Sequence, residues 1–378
     1  MLSRSMGDQM IQGLRPLLLF PLLQLLICSV LADTANLEHH FPVRMYSAVQ
    51  QTLFRNKDFA ISPLGIKQAL GILVPALGDD SALEIENLLK PRMQENKVKL
   101  KQNHLLYQFT TLGVQSGLTI DPEYISEVTQ YGDAAVELTN FTSAQRSANV
   151  MNSGVYHATK NTVRSIVSDH TFEPDTQVLL VNGVFYGAIF ANEFPTEEMC
   201  DFTVYPNPKK KVRCMRANSV PALFGDSVVA LPLINTTSYL VLLQRWKGNL
   251  ETLDLRQLLK ALEVKLVNLI VPMFRHETTL DLKKPLTEVG VERIFKAGEA
   301  QLNKIGDQSG EYLKGLHHKT VFEIGRNGIN MKRLAAKATP SHRKEDADAT
   351  FTALTPFTYA VVDEDHVYII GHYGLDQF

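Results

Sequence analysis

Apolar positions change their spacing along this chain, and the change predicts its elements. From Phe41 to Phe54 they recur at helical intervals (Val43, Tyr46, Val49, Leu53), which predicts an amphipathic helix. Phe59-Ala60-Ile61 is a short apolar run that predicts a strand. Ser62-Pro63 opens a helix after it, since proline's missing donor has no partner in a first turn. Ser81-Ala82-Leu83-Glu84 has the form of a capping box ahead of Ile85, Leu88 and Leu89. Residues 120–170 read as mixed helix and loop. Beyond them β character dominates: Val178–Phe185, Tyr239–Leu243, Val264–Val271 and Val367–Ile370 are short runs rich in Val, Ile, Leu and Tyr. Short helices are expected at 254–262 and 285–295. Helices early and strands late predict an α+β class rather than alternating βαβ units. No repeat, low-complexity tract or linker divides residues 33–378, which read as one domain.

The N-terminus has a different pattern. Arg4 and Arg15 precede an apolar stretch from Pro16 to Ile27, which ends in Ser29-Val30-Leu31-Ala32. Short residues at 30 and 32 suit signal peptidase, so residues 1–32 read as a signal peptide cut between Ala32 and Asp33. The competing reading is an uncleaved anchor helix, but a stretch of roughly 16 residues with two prolines and a Gln falls short of the ~20 that a span needs. The expected protein is secreted and extracellular.

Composition adds exclusions. The 378 residues are 45% hydrophobic and 21% charged, which excludes a disordered chain. Net charge is −2, and losing Arg4, Arg15 and Asp8 with the leader makes it −3, so no global positive field draws the chain to nucleic acid or acidic lipid. Neither nucleic acid nor membrane is an expected partner, and a monomer is expected. Cys28 leaves with the leader; Cys200 and Cys214 remain, an even number in an oxidising compartment. Tyr205-Pro206-Asn207-Pro208 between them is a turn signal, and a hairpin centred on Asn207 sets 200 opposite 214. A cross-strand disulfide and two buried thiols are both open. Asn140-Phe141-Thr142 and Asn235-Thr236-Thr237 are glycosylation sequons, each predicting a surface loop.

The chain lacks a Gly-x-Ser-x-Gly elbow, a phosphate-cradling loop, His-Glu-x-x-His and Cys-x-x-Cys, so no enzyme, metal or cofactor is expected. His39-His40 and His317-His318 are adjacent pairs, which on a strand point to opposite faces and make poor chelates. Lys209-Lys210-Lys211 with Arg213 reads as a solvated hairpin end.

Several separated segments resemble the serpin family. Phe59-Ala60-Ile61-Ser62-Pro63-Leu64 resembles its entry to the second helix, and Leu179-Leu180-Val181-Asn182-Gly183-Val184-Phe185-Tyr186 its Leu-Val-Asn-Ala-Ile-Tyr-Phe strand. Leu231-Pro232, Val271-Pro272-Met273-Phe274, Leu282-Lys283-Lys284-Pro285-Leu286, His318-Lys319 with Glu323-Ile324 and Gly328, Thr355-Pro356-Phe357 and Ile369-Ile370-Gly371 follow in family order. The resemblance implies the serpin fold: three β-sheets, eight or nine helices and an exposed reactive-centre loop at about 328–356. In inhibitory members a serine protease cuts that loop, and the cut arm inserts as a new strand of the large sheet, dragging the trapped acyl-enzyme with it. The energy comes from a metastable native state. Counting 14 residues beyond Gly328 places the scissile position at His342, or at Arg343 before Lys344 with a shift of one. A basic residue there suits a trypsin-like protease. Ser62, Asn182 and His318 match the family's polar cluster under the sheet, with Gly65 where the family has a second serine and Phe190 where it has Trp.

The hinge departs from the family. In place of a run of small residues it reads Ile329-Asn330-Met331-Lys332-Arg333-Leu334-Ala335-Ala336-Lys337, and Arg326-Asn327 replaces an acidic pair. An inserting arm turns alternate residues inward, here Ile329, Met331, Arg333, Ala335, Lys337 and Thr339. Burying an unpaired cation costs several kcal/mol, and overpacking at Ile329 and Met331 roughly 1–3 kcal/mol each. Two functions follow from this. One is a weakly or non-inhibitory protein that binds an unknown ligand or is cut as a substrate. The other is an inhibitor of an extracellular trypsin-like serine protease.

Overall fold

The computed structural model describes residues 40–55, 57–89, 106–130, 133–204, 209–244, 253–307, 310–330 and 346–375. The leader, the 205–208 turn, and Met331, Arg333, Lys337, His342, Arg343 and Lys344 lie outside the described residues. The described helices are α1 over 40–52, α2 (Pro63–Gly71), α3 (Asp79–Leu89), α4 (Pro122–Thr129), α5 (Ala144–Ala158), α6 (Leu255–Ala261) and α7 (Lys283–Glu288). The strands are β1 (Phe59–Ile61), β2 (Leu106–Gln115), β3 (Ala134–Thr139), β4 (Val178–Tyr186), β5 (Ala188–Ile189), β6 (Thr196–Phe202), β7 (Lys210–Gly225) and β8 (Val228–Pro232), followed by β9 (Tyr239–Gln244), β10 (Glu263–Pro272), β11 (Phe274–Asp281), β12 (Leu313–Gly325), β13 (Gly328–Ile329), β14 (Ala349–Thr352), β15 (Phe357–Val362) and β16 (Val367–Tyr373).

Two hydrogen-bonded sheets result. One runs β3-β2-β4-β12, with β11 on the far edge of β12 and β13 between β12 and β5. The other runs β1-β16-β15-β9-β8-β7-β10-β14, with β6 beside β7. Strand β7 is 16 residues long and runs through both parts of this second sheet, so two of the expected three sheets are continuous.

Strand β4 shows why these residues form this centre. It is buried at every position. Its odd residues Leu179, Val181 and Phe185 pack on one face against Met151 and Val155 of α5. Its even residues face the opposite core, Val178 and Leu180 in a lower apolar cluster, Val184 and Tyr186 in an upper one. Strand β12 divides the same way, with Leu313 and Leu316 below and Phe322 and Ile324 above. A strand buried on both faces reads as a continuous apolar run. Asn182 interrupts that run where the two clusters meet.

Three local expectations are corrected. Helix α3 starts at Asp79, and its first-turn Asp79 and Asp80 suit the positive end of the helix dipole. Ser81 and Glu84 serve tertiary contacts instead of a capping box. The Ser81 hydroxyl donates to the Glu299 carbonyl (3.1 Å), and Glu84 accepts from the Glu292 and Arg293 amides. The segment read as helix and loop contains β3, so helices and strands interleave earlier than the pattern suggested. The β6–β7 hairpin pairs Cys200 with Val212 and Cys214 with Glu198, so the two cysteines are diagonal neighbours on one face and not directly opposed. Both are buried free thiols, and burial together with Cys200 pushes the Cys214 thiol well up.

Candidate functional site: the seam between the two central strands

Strands β4 and β12 are parallel neighbours, paired from Val181–His317 to Phe185–Val321. Below this seam, Ser62 caps α2: its hydroxyl accepts the Gly65 amide (3.1 Å) and donates to the Tyr368 carbonyl of β16 (2.6 Å). His318 on β12 bonds Asn182 Oδ1 on β4 across the seam at 2.8 Å. An amide oxygen only accepts, so His318 Nδ1 carries the proton and Nε2 accepts. Its donors are the Ser62 amide at 3.1 Å and the Thr320 hydroxyl at 2.8 Å. The Asn182 amide donates to Thr110 of β2 at 2.9 Å, extending the network over three strands. His318 and Asn182 are completely buried. Burial alone pushes the imidazole pKa down to about 3, so the ring is neutral at physiological pH. Gly65 lies so close to this cluster that a Cβ there would sit 2.5 Å from Val184 Cγ2 and 3.1 Å from Asn182 Oδ1, which leaves no room for a second serine.

Above Phe185 and Val321 the seam forks. β11 occupies one edge of β12 up to Ile324, so β13, which pairs Ile329 with Ile324 and Gly328 with Gly325, lies on the edge that β4 uses lower down. On its other side β13 pairs with β5 (Ile329 with Ala188, Gly328 with Ile189). Gly328 has φ +145°, and a Cβ on it would meet the Ala188 carbonyl oxygen at 2.1 Å, so glycine is required on both counts. Ile329 is fully buried in the upper cluster with Phe322 and Ile324. Asn330 follows with φ +54°. Its amide N–H reaches the Glu323 carbonyl at 2.7 Å. Its side-chain Nδ2 donates to the Tyr186 carbonyl of β4 (2.6 Å) and the Val321 carbonyl of β12 (3.1 Å).

The turn that leads into β13 is held from the side. Phe190 and Phe194 amides donate to the Asn327 and Arg326 carbonyls at 3.0 and 3.2 Å, and Arg326 pairs with Glu193 (3.4 Å) and Glu197 (3.8 Å). An open groove of about 630 Å³ beside the turn is lined by Phe274, Arg213, Arg275, Arg326, Glu197 and Glu323. Arg275 is bound to Glu323 at 3.0 Å, so much of the groove's charge is neutralised within it.

Residues 36–373 match the family model described as Serpin (serine protease inhibitor). The chain belongs to the serpin family. Curated relatives include human neuroserpin, 23% identical over 76% of this chain and 78% of that protein, and human serpin B4, 24% identical over 81% and 90%. Solved serpins of the same fold include the thermophilic tengpin in its native state (TM-score 0.78, 17% identical, 89% of this chain and 93% of that one). Human thyroxine-binding globulin, complexed with thyroxine, also matches (TM-score 0.77, 19% identical, 92% and 99%). Serpins are generally inhibitors of serine proteases and mostly not enzymes. The family includes many secreted members, and no helix among the described residues is long and apolar enough to cross a membrane.

In this serpin the structure brings Ser62, Asn182 and His318 into one network, and Thr320 and Thr110 join it. The side chains of both threonines are inward on strands, a position that alternation alone assigns to apolar residues. Phe190 is buried against Phe194 at 5.5 Å between ring centres, at the lip of the fork. Gly328 and Ile329 lie in the sheet; the remaining hinge and scissile residues lie outside the described residues. Asn140 and Asn235 are exposed in loops, Asn140 accepting from the Thr142 amide and hydroxyl (3.1 and 2.7 Å), Asn235 at φ +57° between β8 and β9. His317 is half-buried on the face opposite His318, and burial lowers its pKa. Asn330 was missed. Its contacts rest on a positive φ and on carbonyls 144 and 9 residues away, which no local pattern reports.

Proposed function

We propose that this protein is a secreted serpin that is weakly inhibitory or non-inhibitory, meeting serine proteases as a substrate or using its loop as a binding surface. One observation carries the reading: among the described residues the arm lies in the sheet at Gly328 and Ile329, and the left-handed backbone at Asn330 ends that extended run. In a fully inserted, extended arm the inward positions after Ile329 are Met331, Arg333, Ala335, Lys337 and Thr339, two of them cations. Two cations entering an apolar seam without partners cost several kcal/mol each. Insertion races deacylation, so an arm that stalls is released as cleaved product. Secretion is supported by the leader-like residues 1–32 and by exposed sequons at Asn140 and Asn235. In that compartment the neighbouring Cys200 and Cys214 are candidates for a disulfide.

A second reading, a suicide inhibitor of a trypsin-like protease cut near His342–Lys344, is favoured by Ile329. Its branched side chain is fully buried, so bulk at the first inward position is no barrier. Incubation with trypsin-like proteases separates the two. Clipping near Arg343 without an SDS-stable complex, and a melting temperature little changed by cleavage, support the first reading. A covalent complex and a large rise in melting temperature overturn it.

A further inference from the structure

We propose that Asn330 is a positioning residue that stops insertion of the arm, its side-chain amide acting as a plug in the fork between β4 and β12. It rests on the reading above only in taking arm insertion as the step that decides function.

Below the fork the two strands bond each other; above it, past the end of β4, β13 lies between β12 and β5. At the end of the β4–β12 ladder each strand presents a carbonyl of a fully buried residue, Tyr186 on β4 and Val321 on β12. Withdrawing a donor placed between two such carbonyls forfeits its hydrogen bonds in a dry site. An inserting strand would supply backbone N–H groups there. Asn330 supplies both donors from one side chain, at 2.6 and 3.1 Å, while 3% exposed. Its φ of +54° is one that Asn adopts more readily than most residues, and it turns the backbone off the strand path while its own amide still bonds Glu323. The plug therefore completes the hydrogen bonding of the partly entered state. Going further means withdrawing the amide, reversing the sign of φ at Asn330 and unzipping the pairs from Phe185–Val321 downwards. The Arg326 pairs anchor the turn, but they do not touch the branch point.

Two variants separate the amide from the turn. Asn330→Asp and Asn330→Gly both tolerate a positive φ, and neither can donate to Tyr186 and Val321. Hydrogen–deuterium exchange on the full chain should quicken about tenfold or more in peptides covering 181–189 and 317–324, with 106–115 unchanged as reference. The second readout is acceptance of a synthetic peptide copying residues 331–340, used as the natural sequence and with Arg333→Ala and Lys337→Ala, followed by native-gel mobility and melting temperature. The peptide lacking Arg333 and Lys337 should anneal about tenfold or more faster to both variants than to the parent. Parent-like exchange and annealing in both variants overturn the plug. Ready annealing of the natural peptide to either variant overturns the cation argument under the proposed function and leaves the plug standing. If one variant fails to fold, the other carries both measurements.

Discussion

The seam between β4 and β12 is closed by two different devices. The lower half is sealed by a buried neutral network in which His318, Asn182, Ser62 and Thr320 satisfy one another. The upper half is sealed by the chain's own arm, two strand residues and one side-chain amide. The lower seal joins elements far apart in sequence and has no spare donor at His318. The upper seal is three residues long and comes from the segment that would replace it. The first device resists opening through the cost of orphaned polar groups, the second through competition for the same carbonyls. The lower seal should therefore dominate global stability, and the upper one should control how the arm moves.

The comparison breaks most sharply at His318. His318→Ala leaves Asn182 Oδ1, the Ser62 amide and the Thr320 hydroxyl without their partner in a dry site. The expected loss is about 3–5 kcal/mol in denaturant unfolding. A loss under ~1 kcal/mol shows that the lower seal is not where stability resides.

Acid acts on the same group. Burial holds His318 near pKa 3 and His372 near 4, both below the ordinary 6.5. The unfolded chain takes up protons as pH falls through about 6.5 while the folded protein does not, so stability is complete above that value and falls below it. Each group contributes a slope of up to ~1.4 kcal/mol per pH unit, ending near its folded pKa. Melting temperature should drop steadily from pH 6.5 towards 4, and His318→Gln should remove its share of the slope. Asp58 and Asp363, whose carboxylates are held below the usual range by hydrogen bonds from neighbouring side chains and amides, add a further loss at still lower pH. A flat profile between 6.5 and 4 contradicts the neutral network.

Much of the lower seal was legible. Asn182 in a wholly apolar run and Ser62 before Pro63 are signals that alternation and capping rules detect, and the resemblance assigned His318 beside them. Thr320 was not, because a β-branched residue at an inward position looks like ordinary strand packing. The upper seal was legible only as a departure from a family pattern. The sequence suggested that Ile329 obstructs insertion, yet it is buried among Phe322 and Ile324. Asn330 counted as an outward position because alternation assumes extended backbone, which φ +54° breaks. The cysteine hairpin failed for a related reason: register depends on turn length, and a shift of two residues moves 214 from 200 to Glu198.

A milder test lies at Gly65, where α2 approaches β4. Gly65→Ala puts a methyl 2.5 Å from Val184 Cγ2 and beside Asn182 Oδ1. Strand and helix must part by several tenths of an ångström, at about 1–3 kcal/mol. The strain bears on the lower seal, so exchange in the peptide covering 178–186 should rise with the stability loss. A substitution that leaves both unchanged shows that the helix yields without disturbing the seam.

The smallest effect is expected at Arg326, and its smallness is informative. Arg326 is the charged residue of the turn above the fork, with partners at 3.4 and 3.8 Å and about a third of its side chain exposed. Pairs this long and this accessible to water contribute little, on the order of 0–1 kcal/mol. The turn keeps its backbone bonds from Phe190 and Phe194 whatever side chain stands at 326. Arg326→Ala should therefore shift stability by less than ~1 kcal/mol and leave exchange at 317–324 as in the parent. If it instead opens that segment as far as Asn330→Asp does, charge above the fork holds the arm and the amide does not. The two halves of the seam would then differ in the kind of force that closes them, and not only in the reach of their hydrogen bonds.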